Sequence, residues 1–153
     1  MTVESGVDDH VDRLILATLM TEGRISYQEL ANRVRLSPTA TADRVRRLER
    51  RGAIRGYGAD VDPAALGRPL EAYIDVRLGA DMSAARFERA VRERVDVQDL
   101  VHLTGRADYL IRVHCLGTTG LDALLSWMKE HAGVQETETR IVLRRVPRVH
   151  RPS

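Results

Sequence analysis

Apolar residues in the first third of the chain recur at helical spacing in three short stretches. A first helix is expected at residues 9–20, with Asp9 as its N-cap. Its apolar stripe consists of Val11, Leu14, Ile15 and Leu19. A second helix should begin after Ser26, which can cap it. Its apolar face consists of Tyr27, Leu30, Ala31 and Val34.

The third helix is predicted at residues 38–51. Ser37 can serve as its N-cap, Pro38 suits the first helical position, and Gly52 supplies the C-terminal stop. The short Arg35-Leu36 turn separates it from the second helix, which is typical of a helix-turn-helix. A helical wheel places Thr41, Val45 and Leu48 on one side of the third helix. Opposite them lie Thr39, Asp43, Arg46 and Arg50, flanked by Ala42 and Arg47.

In the remainder of the chain, segments whose apolar residues recur every two residues, as in a strand, alternate with segments in which they recur every 3.6 residues, as in a helix. Strands are expected at residues 72–78, 97–104, 108–116 and 134–146, and helices at residues 82–94 and 119–131. The first of these helices would bury Ala84, Phe87, Val91 and Val95, and Gly133 would end the second. The order βαββαβ is that of a ferredoxin-like domain. The fold class is therefore α+β, an N-terminal helix-turn-helix followed by a ferredoxin-like unit.

These patterns divide the chain into four segments. Residues 1–53 form the helix-turn-helix domain, residues 54–68 a linker, residues 69–147 the ferredoxin-like domain, and residues 148–153 a basic tail. The linker is rich in Gly, Ala and Pro, and its alternating Tyr57, Ala59 and Val61 predict a short strand.

The sheet of the second domain should carry helices on one face only. We expect its other face to show Leu110, Arg112 and His114 from one strand and Leu100 and His102 from the neighbouring one. Aliphatic residues among these charges favour a second sheet packing there, as in a homodimer. A solvated face is the alternative.

Composition excludes several classes of function. The chain has 153 residues, of which 43% are hydrophobic and 30% charged, and it contains one cysteine. No apolar run is long enough to span a membrane, and the acidic N-terminus is unlike a secretory signal, so we expect a cytoplasmic protein associated with the nucleoid. No cysteine or histidine spacing suits a metal, and no glycine-rich phosphate loop occurs, so no metal, cofactor or enzymatic activity is expected.

Charge is concentrated although the net charge is only +2. Between residues 33 and 55, eight arginines stand against two acidic residues, a segment that we call the basic stripe. A stripe of this kind on a helix-turn-helix predicts double-stranded DNA as a partner. Thr39, Ala40, Asp43 and Arg47 are the candidates for reading bases. Arg46, Arg50 and Gln28 are candidates for phosphate contacts, and Ser37 and Arg44 complete the DNA-binding set. A three-helix bundle with a solvated arginine face is the alternative.

Several segments together resemble one family. RISYQELANRV, LSPTATADRVRRLERRG, VDPAALG, LTGRADYLIRV and ETETRIVLRRV occur in that order. They resemble the Lrp/AsnC family of prokaryotic transcription regulators over nearly the whole chain. The resemblance implies a winged-helix-like DNA-binding domain, a strand-bearing hinge, and a regulation-of-amino-acid-metabolism domain that binds a small amino acid. It also implies homodimers that assemble into octamers or other multiples of dimers.

The resemblance places the effector cleft around the turn between the second and third strands of this domain. Gly105 and Asp108 match the family pattern, whereas Arg106 replaces an acid or amide and Ala107 replaces an aromatic residue. Asp108 would receive the ammonium group of an amino acid. The resemblance adds further lining residues: Leu103, Thr104, Thr137, Glu138 and Thr139. A hairpin turn with no ligand is the alternative for Gly105 and Asp108.

Two functions are consistent with these features of the sequence. The first is a sequence-specific transcription regulator whose DNA binding or assembly responds to an amino acid. The alternative is an architectural protein that compacts DNA with weak sequence preference and no effector. The basic tail would act as a solvated end or as an additional arm on DNA.

Overall fold

The computed structural model describes residues 10–146. The chain divides into two compact units, Met1–Asp60 and Val61–Ser153, called here the N-terminal and C-terminal units. The boundary between them falls inside the predicted linker. Asp9, the expected N-cap of the first helix, and the basic tail at residues 148–153 lie outside the described residues.

The N-terminal unit contains three helices, α1 (His10–Thr21), α2 (Tyr27–Val34) and α3 (Pro38–Arg50). Ser26 and Glu29 form a reciprocal capping box at the start of α2. At the start of α3 the Ser37 hydroxyl accepts a hydrogen bond from the Ala40 N–H, at 3.2 Å. Gly52 follows α3 with a φ of 73°, a conformation that favours glycine. The sequence therefore predicted all three helices and the caps of α2 and α3.

The core of this unit draws on all three helices. Its buried members are Ile15, Leu30, Val34, Val45 and Leu48. Leu14, which the stripe placed in the core, is 36% exposed, and Leu16 packs there instead. The interior face of α1 is thus rotated from the predicted stripe, because it also includes the buried Asp12 and Thr18.

The segment between α3 and the sheet contains a short 3₁₀ helix, Pro63–Leu66, capped by the Asp62 carboxylate. The strand predicted from Tyr57, Ala59 and Val61 is absent from the described part of the chain. A strand requires a neighbour with which its backbone can pair, and the described residues provide none beside this segment.

The C-terminal unit has the predicted order βαββαβ. Its elements are β1 (Leu70–Leu78), α4 (Ala84–Arg92), β2 (Val97–His102), β3 (Tyr109–Cys115), α5 (Thr118–His131) and β4 (Val134–Ile141). All neighbouring strands are antiparallel, and the sheet order is β2-β3-β1-β4. The predicted α+β fold class is confirmed.

One face of this sheet packs on α4 and α5. Alternate strand residues form the core with side chains of the two helices: Ala72, Ile74, Val76, Tyr109, Ile111, Val113, Phe87, Val91, Leu121, Leu124 and Met128. Ala84 and Val95, which share the helical spacing of Phe87 and Val91, are exposed: Ala84 is the first residue of α4, and Val95 lies beyond its end at Arg92. The last strand also ends earlier than expected, at Ile141.

A β-bulge changes the prediction for β2. The register shifts between Val97 and Asp99, so Leu100 lies opposite the core residue Ile111. His102 likewise faces the core side, where its ring stacks on that of Tyr109 at 4.6 Å. The prediction that Leu100 and His102 lie on the helix-free face is therefore wrong. Val101, opposite Leu110, takes that position.

No helix within residues 10–146 combines the length and the apolar character that crossing a membrane requires.

Candidate functional site

The first candidate site is the exposed surface of α3 with the adjoining end of α2. Pro38 at the first helical position and the Ser37 cap fix where α3 begins. The Thr41 hydroxyl is turned inward and donates to the Ser37 carbonyl at 3.0 Å. Thr41, Val45 and Leu48 are buried, as the wheel predicted, and Ala42 is buried beside them.

The opposite side of α3 is open to solvent. We call this surface the reading face, and it comprises Gln28, Ser37, Thr39, Asp43, Arg46 and Arg50, all of which are exposed. Ala40 at its edge is half-buried. Asp43 and Arg46 form an exposed ion pair at 3.3 Å. The structure therefore brings together on one surface most of the residues predicted to bind DNA.

Arg44 and Arg47 are placed differently from the prediction. Both guanidinium groups bind the carboxylate of Asp12 on α1, Arg44 Nη1 at 2.8 Å and Arg47 Nη2 at 3.1 Å. The Asp12 side chain has no exposed surface, so its charge is held inside the unit and requires these partners. Two arginines that the sequence assigned to DNA are thus engaged with the helix behind α3. The wheel missed this pairing because it contains no information on α1.

Another arginine of the basic stripe is also paired. Arg33 contacts both carboxylate oxygens of Glu22, at 2.5 and 2.8 Å. The hydrogen bond from Arg33 lowers the pKa of Glu22 below its ordinary value. The positive charge of the stripe is therefore less available to a polyanion than the arginine count indicates.

The second candidate site is a groove of about 690 Å³ in the C-terminal unit, which we call the effector groove. It is bounded by β1, the loop between β2 and β3, α5 and β4. Its lining residues are Asp75, Arg77, Leu103, Thr104, Arg106, Ala107, Lys129, Gln135, Glu136, Thr137, Glu138 and Arg140.

Six of the predicted effector residues line this groove: Leu103, Thr104, Arg106, Ala107, Thr137 and Glu138. Gly105, Asp108 and Thr139 do not. The Asp108 Oδ2 atom accepts a hydrogen bond from the Leu78 N–H at 2.8 Å, and the Asp108 N–H donates to the Val76 carbonyl at 2.9 Å. Asp108 thus fastens the loop to the end of β1. Gly105 in this loop has a φ of 117°, which an L side chain rarely adopts.

Sequence reasoning missed the remaining lining residues: Asp75, Arg77, Lys129, Gln135, Glu136 and Arg140. Asp75 pairs with Arg140 at 2.5 Å, and Arg77 pairs with Glu136 at 3.3 Å, in both cases between β1 and β4. The strand alternation places these charges on one face, but their pairing depends on β1 and β4 being neighbours. Within residues 10–146 no cluster of three or more His, Cys, Asp or Glu side chains is arranged to hold a metal ion.

Each of the two candidate sites lies in a segment that matches a known family of domains. Residues 8–55 match the winged helix-turn-helix DNA-binding family, and residues 71–150 match the Lrp/AsnC ligand-binding domain. A chain that joins these two domains is a DNA-binding transcription regulator with a ligand-binding domain.

Whole-chain relatives identify the family. The leucine-responsive regulatory protein of Escherichia coli K12 is 36% identical over 146 residues, covering 94% of this chain and 89% of that protein. A Neisseria meningitidis transcriptional regulator crystallised with L-Met has a TM-score of 0.84 at 31% identity, covering 92% of this chain and 93% of the other. Escherichia coli AsnC has a TM-score of 0.76 at 31% identity, covering 95% and 99%. The chain belongs to the Lrp/AsnC family of transcription regulators.

Proposed function

We propose that this protein regulates transcription by binding specific double-stranded DNA through the reading face, under control of an amino acid bound in the effector groove. The observation that carries the proposal is the exposed, capped α3, whose reading face is polar while its other side is buried in the core. The N-terminal residues of such a helix reach base edges in the major groove, and later residues lie near phosphates.

Roles on the reading face follow from position along α3. Thr39, Ala40 and Asp43 occupy its first two turns, so we assign them to base contacts. Arg46, Arg50 and Gln28 are assigned to phosphate contacts. Ser37, the N-cap of α3, is assigned to a DNA contact at the start of the helix. Arg44 and Arg47 leave the DNA-contacting set and instead hold α3 against α1 through Asp12.

The effector groove supports the second half of the proposal. Its volume lies in the range of small-molecule sites, and both charge signs line it, as an amino acid with its ammonium and carboxylate groups requires. The relative crystallised with L-Met supports the same chemical class. Asp108, which lies outside the groove lining, is assigned to shaping the loop that carries Leu103, Thr104 and Arg106.

We further propose that the protein works as a homodimer or a multiple of dimers on the nucleoid, in the cytoplasm. On the helix-free side of the sheet, Val101 is 41% exposed and lies opposite the half-buried Leu110. Burial of these side chains against a second copy would remove apolar surface from water. Two reading faces in one dimer would match two half-sites on DNA.

Fluorescence anisotropy with the DNA upstream of the protein's own gene tests the function. The titration is run against a scrambled duplex, at two salt concentrations, with each common amino acid in turn. Selective binding that one amino acid changes is the expected result. Binding without selectivity and without any response would favour an architectural role and overturn the proposal.

A further inference from the structure

The turn between α2 and α3 contains the only residue other than glycine that has a positive φ within residues 10–146. Arg35 has a φ of 57° and a ψ of 45°, which is the left-handed helical conformation. An L side chain in this conformation crowds the carbonyl oxygen that follows it, so glycine is the usual residue where a helix ends in this way. Arg35 therefore holds a backbone conformation that its own side chain disfavours.

The short connection between the two helices imposes this conformation. The N–H groups of Arg35 and Leu36 both donate to the Ala31 carbonyl, the second at 3.1 Å, and Leu36 packs against the core of the N-terminal unit. The next residue, Ser37, caps α3. These contacts anchor the turn at both ends. Arg35 takes part in them through its backbone N–H, which glycine would provide equally well.

No interaction of the Arg35 side chain within the described residues offsets the strain. The residue is exposed, and its guanidinium group makes no hydrogen bond or ion pair with another residue of the segment 10–146. Arg33 differs, because it is bound to Glu22 and so has a partner inside the unit. The fold of the N-terminal unit thus gives no reason for an arginine at position 35. Strain that the fold does not require indicates a functional role for the residue.

The position of the turn brings Arg35 close to DNA in the proposed binding mode. The first residues of a recognition helix reach base edges, and the helix before it crosses the sugar-phosphate backbone. The turn that joins α2 to α3 therefore lies at the rim of the major groove, beside the phosphates. Arginine suits such a place, because its guanidinium group donates paired hydrogen bonds to phosphate oxygens.

We propose that Arg35 contacts a DNA phosphate at the rim of the major groove, beside the reading face. The inference rests on the proposed function, in which α3 enters that groove. It adds a DNA contact from the turn, and it gives a reason for an arginine in a conformation that suits glycine.

Two substitutions separate the charge of Arg35 from its backbone strain. Arg35→Gln removes the charge and leaves a long side chain in the left-handed conformation, whereas Arg35→Gly removes both the charge and the strain. We expect Arg35→Gly to unfold at a higher urea concentration than the wild type and to bind DNA more weakly. Arg35→Gln should show the same loss of affinity with no gain in stability.

Fluorescence anisotropy at several salt concentrations measures the contact, and urea denaturation followed by circular dichroism measures the stability. Loss of the contact should reduce the slope of log affinity against log salt by about 0.9 for each protomer bound, or about fivefold in affinity at about 0.15 M salt. The loss should be equal on the upstream and the scrambled duplex, because a phosphate carries no sequence information.

Two further variants serve as controls. Arg35→Lys keeps the positive charge and should retain most of the salt slope. Arg89→Gln changes an exposed arginine on α4 of the C-terminal unit, and it should alter neither the slope nor the stability of the N-terminal unit.

The outcomes separate this inference from the proposed function. A smaller salt slope in both Arg35→Gln and Arg35→Gly, with a gain in stability in Arg35→Gly alone, supports the inference. An unchanged slope, a loss confined to the upstream duplex, or a loss of stability in Arg35→Gly overturns it and leaves DNA binding through the reading face in place. If the wild type does not prefer the upstream duplex, the proposed function fails, and the slopes of the variants on either duplex still decide whether Arg35 contacts a phosphate.

Discussion

Asp12 carries a carboxylate into the interior of the N-terminal unit, where water cannot reach it. Burying a charge is costly unless partners compensate for it, and here Arg44 and Arg47 do so from α3. The pairing joins α1 to the helix that carries the reading face. Arg44 and Arg47, which the sequence analysis assigned to DNA contacts, therefore form ion pairs within the N-terminal unit.

Substitution of Asp12 tests this role. We expect Asp12→Ala to lower the free energy of unfolding of the N-terminal unit by about 3 kcal/mol, near the lower limit for breaking a buried pair, because the arginines retain some contact with water. Asp43→Ala is the control, since the ion pair of Asp43 is exposed and contributes about 1 kcal/mol or less. Urea denaturation followed by circular dichroism measures both. Equal losses in the two variants would contradict the interior role of Asp12.

Tyr109 provides a test of burial in the C-terminal unit. Its side chain is buried, and its hydroxyl donates to Glu88 Oε1 at 2.9 Å. Burial, followed by the bond to Glu88, raises the pKa of Tyr109 from 10.0 to about 12. The folded state thus favours the neutral phenol. This contribution to stability is fully present below pH 10 and is lost as the pH rises through about 12, since the unfolded chain ionises first.

Spectrophotometric titration checks this pKa. The difference in tyrosinate absorbance between the wild type and Tyr109→Phe should rise with a midpoint near 12. Between pH 10 and 12 the free energy of unfolding should also fall more steeply in the wild type than in Tyr109→Phe. A difference spectrum that rises at the ordinary tyrosine pKa would show that Tyr109 is not shielded in solution.

At the scale of elements, the sequence predicts what depends on local pattern. The helical periods, the Ser26 and Ser37 caps and the order βαββαβ all follow from residues close together in the chain. The errors in the predicted fold arise where the structure depends on a second segment of the chain, which a local pattern does not describe. A bulge reversed the faces of part of β2, and the alternating linker segment lacked a pairing neighbour among the described residues.

The two candidate sites also differ in how much of each could be predicted from local sequence patterns. The reading face lies on one capped helix and its neighbour, so a helical wheel places most of it correctly. The effector groove is assembled from four separate elements, and the sequence provided only the loop residues and part of β4 through the family resemblance. The ion pairs between β1 and β4 depend on strand register, which no local pattern specifies.

Two arginines on α3 are chemically alike, but their surroundings assign them different roles. Arg50 is exposed in the last turn, whereas Arg47 binds Asp12. We expect Arg50→Ala to weaken binding to every duplex and to reduce the slope of log affinity against log salt by about 0.9, because one phosphate contact is lost. Arg47→Ala should leave this slope unchanged and lower the stability of the N-terminal unit.

Anisotropy titrations over a series of salt concentrations measure the slopes, and urea denaturation measures the stabilities. The wild type and Arg50→Ala should have similar unfolding midpoints, so their difference in DNA affinity would report contact alone. A reduced salt slope in Arg47→Ala would return that arginine to the DNA-contacting set.

At the scale of the whole molecule, each unit has its own hydrophobic core. Leu48 is fully buried in the core of the N-terminal unit, and Leu124 is fully buried in that of the C-terminal unit. A cavity made by Leu→Ala in such a site costs about 2–5 kcal/mol, and the cost falls on the unit that holds the cavity. We therefore expect Leu48→Ala and Leu124→Ala to destabilise different units.

The single tryptophan makes this prediction measurable. Trp127 lies on α5 of the C-terminal unit, where the Arg94 guanidinium lies 4.8 Å from the centre of its ring, so its fluorescence reports the unfolding of that unit. Leu124→Ala should shift the fluorescence midpoint to lower urea, and Leu48→Ala should leave it in place while the helical circular dichroism signal is lost earlier. Equal shifts of the fluorescence midpoint in both variants would mean that the two units unfold as one. With independent units, the proposed effector can alter DNA binding only through different affinities for two arrangements of an otherwise folded protein.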